Sequence, residues 1–418
     1  KKEEMRSPSS YALLGAARLF TGTTALSALS TYGVTPELEV LLEGFGEKRY
    51  RAKQIREWIF DKGVTDFQDM NNLPKSLRDR LASTVREYSL ELLSEKVSSI
   101  DGTVKRAYAV GGRSDVVESV LMRYDDGRNT ACISSQAGCA MGCVFCATGQ
   151  MGFRRQLSGL EIFEQAARFD SSLRREDSRL NRVVFMGMGE PLLNFEAVSE
   201  AISRLHADLG IGARRVTVST VGVTPAVRKL TLRHPNVGFA ISLHAANDED
   251  RSALIPANAR YGGIDALMSA ARDHWLATKR QVTFEWALAA GGGCEDDTNV
   301  VRAKAQELGR LLRRYGMTGP ASHVNVIPLN PTPSYTAGAP ASASSIQHFI
   351  DVLNSLGVSA TVRLRRGIDI NAGCGQLATE LLAKEERTTS HSVTAATSEE
   401  ALSQQQGAFF DDNASSSQ

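Results

Sequence analysis

The sequence predicts an α/β fold: six strand-then-helix units forming a parallel sheet, closed or partly closed as a (β/α)6 barrel, preceded by a small helical region and flanked by disordered tails. Three observations lead there. From about residue 105, short β-rich runs alternate with amphipathic helical stretches. Between residues 35 and 95, apolar residues recur at helical spacing instead. Residues 384–418 are rich in Ser, Thr, Gln and Ala and show neither period.

Taken in order, residues 5–33 contain Arg6 and Arg18 and no acid. Such a segment reads either as an organelle transit peptide or as a plain disordered extension. Thr35 can cap a first helix, with Pro36 suited to its first position. A second helix is expected near residues 51–62. Ala52, Ile55 and Ile59 form its apolar face, with Trp58 beside them and Lys48, Arg49, Arg51, Lys53 and Arg56 crowding the other side. That basic side is either a solvated face or a contact for phosphates. The expected strands are 130–134, 183–186, 216–220, 237–243, 282–288 and 323–328. A helical window at 158–169 opens on the capping pair Ser158 and Glu161. In barrels of this kind, chemistry gathers at the C-terminal strand ends.

Composition narrows the function less than the pattern does. Hydrophobic residues make up 42% of the 418 and charged residues 23%, which excludes a wholly disordered or collagen-like chain. No window approaches the roughly 18 apolar residues of a membrane span. The net charge of +1 averages a tail of −4 against a body of +5, with 46 basic and 41 acidic residues in the body. Six cysteines in 418 residues are too sparse for a disulfide scaffold.

Their spacing is more telling. Cys139, Cys143 and Cys146 follow the pattern C-x3-C-x2-C just after the first barrel strand. Three thiolates on one tight loop can hold three corners of a cubic iron–sulfur cluster, leaving the fourth iron open to a small molecule. A structural zinc site would need four closed ligands, and the usual paired C-x2-C knuckles are absent. A disulfide, or three unrelated buried cysteines, are the remaining readings.

C-x3-C-x2-C with Phe145 before its last cysteine resembles the radical S-adenosylmethionine (SAM) enzymes. More narrowly, several stretches resemble the RNA adenine methyltransferases of the RlmN/Cfr group. These are Ser134-Ser135-Gln136-Ala137-Gly138-Cys139, the run from Cys146 through Gly152 and Phe153 to Arg155, and Gly187-Met188-Gly189-Glu190-Pro191-Leu192. Val218-Ser219-Thr220, Ile241-Ser242-Leu243-His244, Asn330-Pro331, Arg366-Gly367 and Cys374-Gly375-Gln376-Leu377 continue the series. The resemblance runs over about residues 32–380 and implies four parts. Residues 1–31 are the extension, 32–95 a helical RNA-binding accessory domain, 96–380 the radical SAM core, and 381–418 the tail.

The resemblance also implies a chemistry. An adenine carbon is not nucleophilic, and the group solves this with two SAM molecules per turnover. One methylates Cys374. The other, bound to one 4Fe–4S cluster on Cys139, Cys143 and Cys146, yields a 5′-deoxyadenosyl radical that activates that methyl. Cys132 then attacks Cys374, leaving a disulfide, and Glu118 takes the ring proton. Gly189, Glu190, Ser219, Ser242, Leu243, His244 and Asn330 are the expected SAM contacts. Each assignment has a plainer reading: an ordinary βα turn for 187–191, a satisfied structural histidine for His244, an exposed strand acid for Glu118, and spare thiols for Cys132 and Cys374. Cys294 lies in an extended loop, 291–297, where the group has a shorter turn, and is read as a loop thiol.

The implied substrate is an adenosine of large-subunit (23S-type) ribosomal RNA, methylated at carbon 2, with an adenosine beside the tRNA anticodon as a second target. Carbon-8 methylation and a non-catalytic RNA-binding module are the rival functions. Arg154, Arg155, Arg214, Arg215, Arg365 and Arg366 neighbour the motifs and are expected to grip phosphates at the cluster end. A flavodoxin or ferredoxin is the expected electron donor, and a membrane-free monomer the expected state. Exposed clusters suit a reducing compartment, either the cytoplasm or, given the acid-free extension, a plastid or mitochondrial matrix.

Overall fold

The computed structural model describes residues 30–33, 38–111, 115–289, 298–332, 335 and 341–377. The cap at Thr35 and Pro36, Cys294, most of the extension and the tail lie outside them. Three helices come first: α1 (Leu38–Gly44), α2 (Tyr50–Arg56) and α3 (Lys75–Thr84). Helix α2 runs on into a wider turn, Glu57–Asp61, and Ala52, Ile55, Ile59 and Phe60 are buried. Its basic side is largely neutralised: Arg49 meets Glu43, Arg51 Glu47, Lys53 Glu57, and Arg56 Asp208 at 2.8 Å.

The strands follow as β1 (Glu91–Val97), β2 (Val104–Val110), β3 (Asp115–Arg123), β4 (Asn129–Cys132), β5 (Gln136–Gly138) and β6 (Phe153–Gln156). Then come α4 (Gly159–Arg174), β7 (Arg182–Phe185), α5 (Phe195–Ala207), β8 (Val216–Thr220), α6 (Thr224–Arg233) and β9 (Gly238–Ser242). Helices α7 (Asp248–Leu254) and α8 (Gly263–Thr278), β10 (Val282–Leu288), α9 (Thr298–Arg314), β11 (Ser322–Pro328), α10 (Ala343–Ser355) and β12 (Ala360–Val362) complete the order.

Ten strands form one sheet in the order β1-β2-β3-β4-β7-β8-β9-β10-β11-β12. From β4 to β12 every pairing is parallel, so the six expected strands stand side by side with helices between them. The capping box at α4 is formed, Ser158 and Glu161 each taking the other's backbone N–H. Three features depart from expectation. The helical run ends at Thr84, and residues 91–97 are a strand whose side chains are mostly exposed, which erases the two-residue alternation. Strands β1–β3 extend the sheet antiparallel. A seventh parallel strand, β12, has only three residues, two of them exposed.

The partial barrel is not closed by strand pairing between β1 and β12. Instead the β1–β2 turn touches the segment after β12. Asp369 accepts from the Ser98 hydroxyl at 2.7 Å and the Ser99 N–H at 3.0 Å, and Asp101 accepts the Gly367 N–H at 3.0 Å. Among the described residues, no helix is long and apolar enough to cross a membrane.

Candidate active site

The cysteine loop is clipped at its neck by the β5–β6 hairpin. The Cys139 N–H donates to the Gly152 carbonyl at 2.8 Å, and a Cβ on Gly138 (φ 69°) would fall 1.9 Å from that oxygen. Inside the loop, a Cβ on Gly149 would lie 2.8 Å from the backbone N and O of Cys143. Only glycine permits both approaches, so the three thiols are gathered on one wall of a cleft. Burial pushes the Cys139 thiol up to about 12 and Cys143 higher still. Thiolates there therefore need a cationic group to hold them. Among the described residues, no three His, Cys, Asp or Glu side chains converge on a single-ion site. Three thiols on one loop can each bind a different iron of a cluster.

The cleft has a volume of about 1020 Å3, open mouth included, and lies at the C-terminal ends of β7 to β11. Gly189, Glu190, Ser219, Ser242, His244, Asn330 and Cys374 line it together with the three cysteines. His244 has a left-handed backbone (φ 61°), uncommon away from glycine. Its Nδ1 accepts the Ala287 N–H at 2.9 Å and its ring meets Phe145 edge-on at 4.8 Å. Burial pulls its pKa down to about 3, so the ring is neutral and carries its proton on Nε2. Asn330 donates from Nδ2 to the Cys374 carbonyl at 3.1 Å, while its buried Oδ1 has no hydrogen-bond partner. An orphaned acceptor in a cleft wall fits a ligand that brings a donor. Glu190 accepts the Leu192 N–H at 3.0 Å and the Val221 N–H at 2.9 Å, tying the β7 end to the β8 end. Burial raises its carboxyl to about 6.

Cys374 comes from far along the chain, and its loop is stitched down rather than loose. The Gly375 carbonyl accepts the Ala147 N–H at 2.8 Å, directly after the last cluster cysteine. The Thr148 hydroxyl donates to the Leu377 carbonyl at 2.6 Å, and Gln376 Nε2 to the Pro331 carbonyl at 3.2 Å. Cys132, at the end of β4, lines a smaller adjoining pocket that Cys374 also lines. Both cysteines are free.

Besides Cys132, two expected residues do not line the cleft. Leu243 is fully buried, its N–H donating to the Glu285 carbonyl at 3.1 Å. Glu118 is 4% exposed, which overturns the exposed-acid reading. It lies 3.3 Å from the buried Lys105, whose ammonium also donates to the Asn371 carbonyl. The arginines divide as well. Arg214 and Arg215 precede β8 and so sit at the opposite end of the parallel sheet from the cleft, a correction to their expected placement. Arg154 and Arg155 both approach Asp115, and Arg155 also pairs with Glu161. Arg365 and Arg366 do line the pocket shared by Cys132 and Cys374.

Sequence reasoning missed three residues. Arg251 is 2% exposed and holds the Val221, Ser242 and Leu243 carbonyls together behind the cleft. Glu285 and Arg363 reach into the cleft from β10 and from just past β12. A glutamate within an apolar strand run was the one signal available; nothing local distinguished Arg363 from its arginine neighbours.

Comparison with known proteins agrees with this geometry. Residues 34–86 match the ribosomal RNA large subunit methyltransferase N-terminal domain, and residues 133–278 match the radical SAM superfamily. The dual-specificity RNA methyltransferase RlmN 1 of Myxococcus xanthus is 41% identical over 365 residues, covering 87% of this chain and 98% of that protein. The ribosomal RNA large subunit methyltransferase N of Nitrosopumilus maritimus is 39% identical, covering 84% of this chain and 99% of that protein. A crystal structure of a radical SAM methyltransferase from Sphaerobacter thermophilus matches with a TM-score of 0.75 at 42% identity, covering 84% of this chain and 100% of that one. With relatives this similar matched along nearly their whole length, the chain belongs to the RlmN family of radical SAM RNA methyltransferases.

Proposed function

We propose that this protein methylates carbon 2 of an adenosine in large-subunit ribosomal RNA, and an adenosine beside the tRNA anticodon, with Cys374 as the methyl carrier. The observation that carries the reading is the loop holding Cys374, which is hydrogen-bonded to the turn after Cys146 and shares a pocket with Cys132. When bound, the 4Fe–4S cluster and SAM of the radical SAM family supply the methyl group and the radical that activates it.

The chain's own residues do the rest. Cys139, Cys143 and Cys146 would hold the cluster. Gly189, Glu190, Ser219, Ser242, His244 and Asn330 would hold SAM: Asn330 Oδ1 accepting a donor, His244 Nε2 giving one, and Glu190 offering its remaining lone pairs to an ammonium. The Cys374 sulfur accepts the methyl group. Cys132 later attacks that sulfur, forming an S–S bond as the sulfur–carbon bond to the product breaks. Glu118 is the base for the ring proton, held ready by Lys105. Arg365 and Arg366 at the pocket's outer edge would meet RNA phosphates. A flavodoxin- or ferredoxin-type carrier, a monomeric enzyme and a reducing compartment, either cytoplasm or organelle matrix, complete the reading.

Nucleoside mass spectrometry of ribosomal RNA and tRNA from cells with and without the protein tests this. The expected gain is 2-methyladenosine in both. Methylation only at carbon 8 overturns the carbon assignment. A full cluster that releases no 5′-deoxyadenosine from SAM and reductant favours a binding module instead.

A further inference from the structure

We infer that the β1–β2 turn is a clamp for the loop that carries Cys374, and that Asp369, Asp101 and Lys105 are positioning residues that hold the methyl carrier and the base Glu118 in one register. The inference deepens the methyl-carrier reading and rests on it for its purpose; the clamp itself stands on hydrogen bonds.

The loop, residues 367–377, is fixed at both ends, each to a different part of the molecule. At its start, Asp369 accepts the Ser98 hydroxyl at 2.7 Å, the Ser99 N–H at 3.0 Å and the Ser99 hydroxyl at 3.3 Å. Asp101 accepts the Thr103 N–H of its own turn and the Gly367 N–H of the loop, both at 3.0 Å. A Cβ on Gly367 would lie 2.8 Å from the Thr103 side chain, so the loop rests directly on the turn. The Ala372 N–H donates to the Gly367 carbonyl at 2.8 Å and closes this half of the loop into a bend. At the far end, Gly375, Gln376 and Leu377 are bonded to Ala147, Pro331 and Thr148. Cys374 sits between the two anchorages.

Lys105 joins the clamp to the base. It is buried on β2, and its ammonium donates to the Asn371 carbonyl at 3.2 Å and lies 3.3 Å from Glu118 Oε1. Lys105 stands opposite Val120 in the β2–β3 pairing, and Val120 lines the pocket shared by Cys132 and Cys374. Glu118 and the Cys374 loop are therefore both referred to one pair of strands. The chemistry needs that. Once the adenine ring is bonded to the Cys374 methyl carbon, the base must reach a proton on that same ring. A displacement of about 1 Å between such groups can cost about a hundredfold in rate. Loading the methyl group onto Cys374 makes no use of Glu118 and needs only the anchorage beside Cys146. Loss of the clamp should thus spare loading and slow transfer.

The test joins peptide-level hydrogen exchange on the cluster-loaded enzyme to single-turnover methyl transfer, with thermal melts as a check on folding. In Asp369→Ala, exchange across residues 367–373 should quicken about tenfold, the worth of one hydrogen bond, while residues 139–152 keep their protection. Methyl loading of Cys374 from SAM, read by peptide mass spectrometry, should proceed at the wild-type rate. Transfer of that methyl to RNA should fall about ten- to a hundredfold. Ser98→Ala, which removes a single hydroxyl, should show a smaller loss and add little to Asp369→Ala; it carries the test if the aspartate variant melts early. Lys105→Met should give the same split between loading and transfer, and Lys105→Arg should restore most of the transfer. Unchanged exchange, faster exchange with normal transfer, or loading and transfer falling together overturn the inference. Exchange needs neither RNA nor turnover. A wild-type Cys374 that never carries a methyl group refutes the methyl-carrier reading, and faster exchange in Asp369→Ala would still leave the clamp standing.

Discussion

Two buried polar neighbourhoods share this core and differ in how completely they satisfy themselves. Where the N-terminal helices meet α4, Glu164 is fully buried and accepts the Ser89 N–H at 2.9 Å and the Leu90 N–H at 3.0 Å, with Arg168 at 3.9 Å. Arg204 caps the Tyr32 carbonyl, the Ser171 hydroxyl caps that of Gly63, and Tyr32 packs against Phe60, Tyr88 and Phe163. At the strand ends the pattern inverts. Asn330 has an orphaned oxygen, His244 a strained backbone, and three thiols, those of Cys139 and Cys143 buried, lie on one wall. Polar groups that complete each other hold a fold together; groups left one partner short are waiting for something else.

Substitutions should separate the two regions. The largest effect is expected for Cys374→Ala: methyl transfer falls by at least about 10³-fold, the scale seen when a covalent-catalysis residue is removed, with the melting temperature unmoved. Cys132→Ala should instead leave a protein–RNA species that survives a denaturing gel; normal turnover without such a species would take Cys132 out of the mechanism. Next in size is Glu164→Ala at the seam. It strands two buried N–H groups and Arg168, and should cost about 3 kcal/mol of stability while leaving SAM affinity alone. Asn330→Ala should do the reverse. Calorimetric titration should show SAM binding weakened about tenfold, the worth of one hydrogen bond, with stability nearly unchanged. A variant of Asn330 that melts early but binds normally would erase the distinction between the regions.

The difference also explains what could be read from the sequence. Strands β4 and β7 to β11 were legible because each is a short apolar run, and the α4 cap because Ser158 and Glu161 sit three apart. The cleft was legible through short contiguous motifs at strand ends. What escaped was set by long-range pairing. Strands β1 and β12 are too exposed to alternate, and Arg363 owes its place to Glu285 on another strand. Arg214 and Arg215 misled because closeness to a motif in sequence does not say which end of a strand is meant.

His274, on α8, sharpens the rule, since it too has a buried ring nitrogen without a partner, Nε2, yet faces no cleft. Its Nδ1 lies 2.9 Å from the Thr231 hydroxyl, which already donates to the Val227 carbonyl, so Nδ1 carries the proton and Nε2 is a bare acceptor. The ring packs on Phe239 at 4.8 Å. A second proton would have no acceptor, and burial accordingly lowers the pKa from 6.5 to about 4. As pH falls through that window the unfolded chain takes up the proton first. The stability held by the neutral ring is therefore intact above pH 6.5 and drains toward pH 4, by at most about 1.4 kcal/mol per pH unit. Denaturant unfolding at a series of pH values should show a shallower acid decline for His274→Phe, with little change at neutral pH. The decline should not vanish, because His244 is depressed in the same direction. Parallel declines in wild type and variant would mean that the orphaned nitrogen costs nothing to protonate. An unpartnered atom would then mark a ligand no better outside the cleft than inside it.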